Sequence, residues 1–314
     1  RLVMFIPTMF LLSILVFAFL RIIPGDPALA ILTRNNADSI ETITEEQLER
    51  MRERLGTNRP LIVQYATWAG GLVKLDFGNS LVTSNPVWDQ LKRRVPITLE
   101  LSILSIFIST VVAVPLGVFS AIKQDTWGDY AGRIVAIGGL AVPTFWVAMM
   151  VILLPTYYLN WSPPITYVSF FDDPGGNLYF FILPSMVAGI PMMAEIMRMS
   201  RNMMLEVLRE DYIRTAYSKG LGERLVIYRH ALKNAMIPVV TMVGIIASYQ
   251  LGGQVVIERI FSVPGLGRLM LDAIENSDYP MIQGGVLFLG TVVIVISLVV
   301  DLVYTWLDPR IRYE

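Results

Sequence analysis

The chain has 314 residues, 54% of them hydrophobic and 16% charged, with a formal net charge of −1 and a mean hydropathy of +0.57. Soluble domains carry about 25% charged residues, so the composition excludes an ordinary soluble fold and points to a membrane protein. There is no cysteine, which excludes disulfides, thiolate metal sites and cysteine nucleophiles.

Leu2 to Ile23 is almost wholly apolar. A helix needs roughly 20 residues to cross a hydrocarbon core of about 30 Å. The run also exceeds the roughly 7–15 apolar residues of a cleaved signal, so residues 1–23 are expected to be a retained first transmembrane helix. Pro24-Gly25-Asp26-Pro27 stops it, since two prolines and a glycine cannot continue a helix. Residues 24–94 then form a polar insertion. Thr44 with Gln47 predicts a capping box, and Gly56 falls just past the end of that helix. A second helix is expected from Pro60 to the Gly70-Gly71 pair, and Asp76-Phe77-Gly78-Asn79-Ser80 reads as a turn.

Residues 95–314 carry five more apolar segments, near Ile97–Ile122, Ile134–Leu159, Leu178–Met197, Ala235–Ile257 and Ile282–Leu307. The expected fold is an all-α polytopic membrane protein with six transmembrane helices. Basic residues favour the cytoplasmic side. Lys123–Arg133 has two, residues 198–238 have eight against four acids, and the tail has Arg310 and Arg312. The loop between Leu159 and Leu178 has none. Both termini and the 198–238 loop are thus expected in the cytoplasm, with the 24–94 insertion outside.

Within 198–238, Met204, Leu208, Tyr212 and Ala216 make one i, i+4 stripe. After Gly220 comes a second, Leu221, Leu225, Tyr228, Leu232 and Met236. Two short amphipathic helices between membrane spans make a docking surface. Nothing in the chain suggests catalysis. No glycine directly precedes a lysine, so the phosphate loop is absent. The single histidine, His230, has no cysteine or second histidine to share a metal. Glu195 lies within i+3 reach of Arg198 near the cytoplasmic end of the fourth span, where a pair would fix packing or aid coupling.

The stretch Asp211-Tyr212-Ile213-Arg214-Thr215-Ala216-Tyr217-Ser218-Lys219-Gly220, followed by Arg229-His230-Ala231-Leu232-Lys233-Asn234-Ala235 and Pro238, resembles the EAA loop of binding-protein-dependent ABC transporter permeases. The likeness is to the dipeptide/oligopeptide/nickel branch, and the insertion after the first span resembles its B-type subunit. Ser218 stands where that pattern has alanine, and Thr215-Ala216-Tyr217 replaces the strict E-A-A. Pro24-Gly25-Asp26-Pro27, Asp76–Ser80, Thr98–Leu101, Glu258–Phe261, Pro264–Gly267 and Asp308-Pro309-Arg310 extend the resemblance over nearly the whole chain.

That resemblance implies a non-catalytic permease subunit of an ATP-driven importer for peptides or similar small solutes, in a bacterial or archaeal cytoplasmic membrane. It implies that Asp211, Tyr212, Arg214, Thr215, Ala216, Lys219, Gly220, Arg229, His230, Asn234 and Pro238 meet a separate ATPase. ATP and magnesium would reside on two cytoplasmic ATP-binding subunits, leaving no cofactor or metal in this chain. A related C-type permease would complete the path, an extracytoplasmic binding protein would deliver cargo, and lipid would surround the spans; no nucleic acid is involved. Thr144, Trp146, Tyr249 and Gln250 are candidates to line the path from the third and fifth spans. The alternative is a stand-alone channel or ion-coupled carrier, which would call for polar or charged groups at mid-membrane depth. An intramembrane enzyme would require a nucleophile or metal constellation, and a plain anchor has no use for several proline-bent spans.

Overall fold

The computed structural model describes residues 2–22, 26–35 and 43–307. Pro24-Gly25 and the closing Asp308-Pro309-Arg310 lie outside them. The described residues are helical throughout, apart from loops and one isolated β-bridge between Asn79 and Pro86. They fall into two compact units, one of residues 1–97 with 265–295 and one of residues 98–264 with 296–314.

The first unit opens with α1 (Leu2–Ile22) and continues through α2 (Pro27–Asn35), α3 (Glu45–Leu55) and α4 (Leu61–Val73) to the first turns of α5 (Val87–Ile122). The predicted capping box begins α3, with Thr44 and Gln47 bonded reciprocally, and Gly56 closes it at φ 69°. Helix α4 starts one residue after Pro60, as its fixed φ and missing N–H favour. It leans on α1 through Ser13 and Tyr65, whose hydroxyls are 2.8 Å apart, and through the rings of Phe17, Tyr65 and Trp68. The rest of the unit is α13 (Leu266–Glu275) and the start of α14 (Tyr279–Leu307). Val87, Leu91, Leu266, Met270, Ala273 and Met281 make its core. Asp278 accepts from the Ser80 hydroxyl and from Leu81 N–H at 3.0 Å, which closes the 76–81 turn onto α14.

In the second unit α5 continues, followed by α6 (Trp127–Ala141), α7 (Thr144–Leu159) and α8 (Pro174–Val207). Next come α9 (Asp211–Ser218), the short α10 (Glu223–Leu225), a π-helical segment Val226–Ala231, α11 (Leu232–Gly253) and α12 (Val255–Ile260). Helices α5 and α8 pack closely because glycine faces them: a Cβ on Gly117 would stand 2.6 Å from the Met197 carbonyl oxygen. Higher up, Ser109 Oγ donates to the Gly189 carbonyl at 2.9 Å. Ala113, Met192, Ile196, Met197 and Val239 fill the space among α5, α8 and α11. The loop before α8 is held by Asn177 Nδ2, which donates to the Val168 carbonyl at 2.9 Å. Tyr167 in that loop rests edge-on against Phe180 and Phe181, and burial, reinforced by Glu100 and Asp172, pushes its phenol above the ordinary range.

Four helices among the described residues are long and apolar enough to cross a membrane: α5, α8, residues Glu223–Gln250 and Tyr279–Leu298. The third expected span is not a single helix. It is α6 and α7, bent by 100° at Val142-Pro143, and counts as a fifth crossing if the pair is one broken span. Pro143 explains the break: it offers no N–H to the preceding turn and forces Val142 to an extended ψ of 126°. The described apolar part of α1, Phe5–Phe19, is shorter than a crossing.

Candidate functional site

The polar loop 198–238 is built from the lower end of α8 to the first turns of α11. The first stripe does not lie on one helix. Helix α8 ends at Val207 and α9 begins at Asp211, so the chain turns at Leu208–Glu210 between Met204 and Ala216. What α9 buries is Ile213 and Ala216, at 1% and 6% exposure, whereas Tyr212 is 41% exposed. The second stripe is also displaced. Val226, Ile227, Ala231 and Ala235 are buried, while Leu225 and Tyr228 face outward. The π-helical segment accounts for this, because each wider turn takes an extra residue and rotates the following face away from its α-helical register.

Met204, Ile213, Ala216, Val226, Ile227, Ala231 and Ala235 join Val118 and Ala121 of α5 in one core. The loop is therefore a packed element on the body of the second unit. Of the residues singled out by the resemblance, Asp211, Tyr212, Arg214, Thr215, Lys219, Gly220, Arg229 and Asn234 are exposed, His230 and Pro238 are half-buried, and only Ala216 is buried. Gly220 turns the chain at φ 80°, with no atom within 4 Å of where a Cβ would sit. Asn234 Nδ2 reaches Tyr212 Oη at 2.8 Å and the His230 carbonyl at 3.2 Å. Arg214 pairs with Asp211 at 3.3 Å on the open face, an ion pair worth about 0–1 kcal/mol there. Beside α9 lies a cleft of about 560 Å³ lined by Asn202, Leu205, Glu206, Arg209, Glu210 and Asp211.

No ion pair joins Glu195 to Arg198. The pair at this end of α8 is Arg201 with Asp129: the guanidinium donates twice to the carboxylate, at 2.7 Å each. Asp129 is fully buried, and Ser120 Oγ of α5 also donates to it. Three helices are thus tied at one carboxylate. Asp129 and Arg201 stand 72 residues apart in sequence, which is why no local pattern singles them out.

A second feature lies at the other end of α11. A cavity of about 350 Å³ is lined by Thr144, Phe145, Ala188, Pro191, Met192, Gln250, Gln254, Val256 and Ile257. Thr144 and Gln250 thus meet in one pocket, whereas Trp146 and Tyr249, 48% and 75% exposed, do not line it. Gln254, at the break between α11 and α12, is 1% exposed. One turn on, the buried Glu258 accepts from Thr98 Oγ1 at 2.6 Å. Among the described residues no group of three or more His, Asp or Glu side chains is placed to hold a metal.

The geometry is a charged loop folded onto a bundle of apolar helices, and comparison with known proteins shows the family in which it occurs. Residues 113–313 match the family described as "Binding-protein-dependent transport system inner membrane component". Residues 1–102 match "Binding-prot-dependent transport system membrane comp, N-term". The chain belongs to this family. The permease is 41% identical, over 98% of its length and 96% of the relative's, to a putative peptide transport system permease protein of Brucella abortus (strain 2308). It is 39% identical to the dipeptide transport system permease protein DppB of Alkalihalophilus pseudofirmus and 38% identical to that of Escherichia coli (strain K12), each across all of this chain and 98% of the relative. It is a permease subunit of an ABC importer and a multi-pass inner-membrane protein.

Proposed function

We propose that this permease is the B-type half of a peptide importer, and that the energy for transport enters through residues 198–238. Three relatives similar over nearly their whole length are named as peptide or dipeptide permeases, which supports the cargo class. The observation that carries the coupling role is the way the loop is built. Most of its apolar residues are buried in the protein's own core, and Tyr212, Arg214, Tyr217, Lys219 and Tyr228 stay exposed, as does Leu225. A helix with exposed aromatic anchors and charged flanks is suited to a groove on a partner.

In this reading, residues 1–23 are the first of six spans and the 24–94 insertion faces outward, toward a substrate-binding protein. Residues 95–314 form the five-span core, and both termini lie in the cytoplasm. A related C-type permease supplies the other half of the path. Two cytoplasmic ATP-binding subunits hydrolyse ATP, with magnesium on those chains, and this chain does no chemistry. When the ATP-binding subunits close, α9 is displaced, and the π-helical segment passes the shift into α11, where Pro238 allows the helix to flex. The test is uptake of L-alanyl-L-alanine into vesicles holding the complete importer. Uptake that requires ATP and the binding protein supports the reading; ATP-independent uptake by this chain alone would favour a self-contained carrier.

A further inference from the structure

Among the described residues of the second unit, Gln254 is one of four with a buried polar side-chain atom that lacks a partner, with Thr110, Ser185 and Ser200, and of these it alone lines a cavity of mixed polar and apolar character. It is 1% exposed, yet its Nε2 has no hydrogen-bond partner. A buried donor left unpaired is costly, and folded proteins keep few of them, so each one calls for a reason. The reason lies next to it. Gln254 lines the cavity of about 350 Å³ that Thr144 and Gln250 also line. The side chain projects from the break between α11 and α12 rather than from a helix face, so a movement of α11 would carry it.

The rest of the lining sets the chemistry. Among the described residues that line it none is ionisable: the polar members are Thr144, Gln250 and Gln254, and the walls are Phe145, Pro191, Met192 and Ile257 among others. A charged group entering such a site would give up hydration without a counter-ion. An uncharged hydrogen-bond acceptor flanked by a small apolar group loses little and satisfies Gln254. We infer that this cavity is a transport subsite that takes a peptide-bond carbonyl, with Gln254 Nε2 as its donor and the Phe145–Pro191–Met192 wall against the adjoining side chain. The charged termini of the cargo stay at the mouth of the pocket, in contact with water. This rests on the proposal that the cargo is a peptide, and makes Gln254 a specificity residue within it.

Replacing the carbonyl oxygen by sulfur gives a weaker acceptor of nearly the same shape, so the probes are L-alanyl-L-alanine and its thioamide analogue. Both are supplied to the complete importer in vesicles at concentrations that saturate the binding protein, and ATP-dependent uptake of each is measured with the wild type and with Gln254→Met. The inference predicts that the oxo-over-thioxo preference falls by roughly three- to tenfold in the variant, the range of one neutral hydrogen bond. An unchanged preference would overturn it. If Gln254→Met does not assemble, the same comparison is made with Gln254→Leu: a fall in the preference there supports the inference, and an unchanged preference overturns it. If the wild type takes up neither probe with ATP present, it is the peptide reading beneath the inference that fails.

Discussion

Asn234 Nδ2 donates to Tyr212 Oη at 2.8 Å, joining the first turn of α9 to the first turn of α11. In the proposed coupling this bond is a strut between the docking face of α9 and the helix that would move, α11. An exposed neutral bond of this kind contributes about 0.5–1.5 kcal/mol, too little to hold the fold but enough to set the angle of α9. Tyr212→Phe is therefore expected to leave insertion and assembly unchanged while lowering ATP-dependent uptake several-fold. Measuring uptake and ATP hydrolysis together checks this; hydrolysis that stays high while uptake falls marks a loss of coupling.

Gly220 holds φ 80° in open space. Any effect of substitution is then backbone strain alone, about 1–2 kcal/mol for a side chain in the left-handed region. The expected order of retained uptake is Gly220→Asn above Gly220→Ala above Gly220→Val, with Gly220→Pro inactive because its ring forbids a positive φ. Equal activity of the Val and Asn variants in the same vesicle assay would contradict the turn geometry.

The pair of Arg201 and Asp129 makes a stability prediction. Removing one partner of a buried ion pair costs about 3–5 kcal/mol because the other charge is left behind. Asp129→Asn is expected to lower the thermal unfolding midpoint of the detergent-purified protein strongly. Joining it to Arg201→Met, which removes the orphaned charge, recovers part of the loss. A double variant no more stable than the single one would show that the pair is not where the destabilisation arises.

Ala216 and Tyr217 are adjacent but face opposite ways, 6% and 45% exposed. Ala216→Asp puts a carboxylate into the core with Met204 and Val226, so the expected result is less folded protein in the membrane. Tyr217→Asp alters only the outer face, and is expected to give normal amounts of protein with impaired uptake. Immunoblots of membranes beside uptake rates separate the two outcomes.

Much of this was legible in the sequence because it is written locally. The Thr44–Gln47 cap, the Gly56 stop, the turn glycine at 220 and the apolar runs each depend on residues a few positions apart. The motif of the loop likewise stood out from Asp211 to Pro238. What was not legible is what depends on register or on distant partners. A period of 3.6 residues predicts the wrong buried face once a π-helical segment inserts at Val226–Ala231. Continuous hydropathy over 134–159 hides the 100° bend that Pro143 imposes. Asp129 carries no local sequence signal, and only folding places it against Arg201. Gln254, too, has no local mark; its interest comes from lacking a partner where Thr144 and Gln250 converge.

The central claim is that the outer face of α9 is where a separate ATP-binding subunit docks. A photo-crosslinking amino acid placed at Tyr217, with Trp161 in the loop after α7 as the comparison site, tests it in the assembled importer. The account predicts covalent capture of the ATP-binding subunit from position 217, changing in yield when ATP is added, and none from position 161. Capture from 161 alone, or an importer that transports normally while position 217 captures nothing, would contradict it.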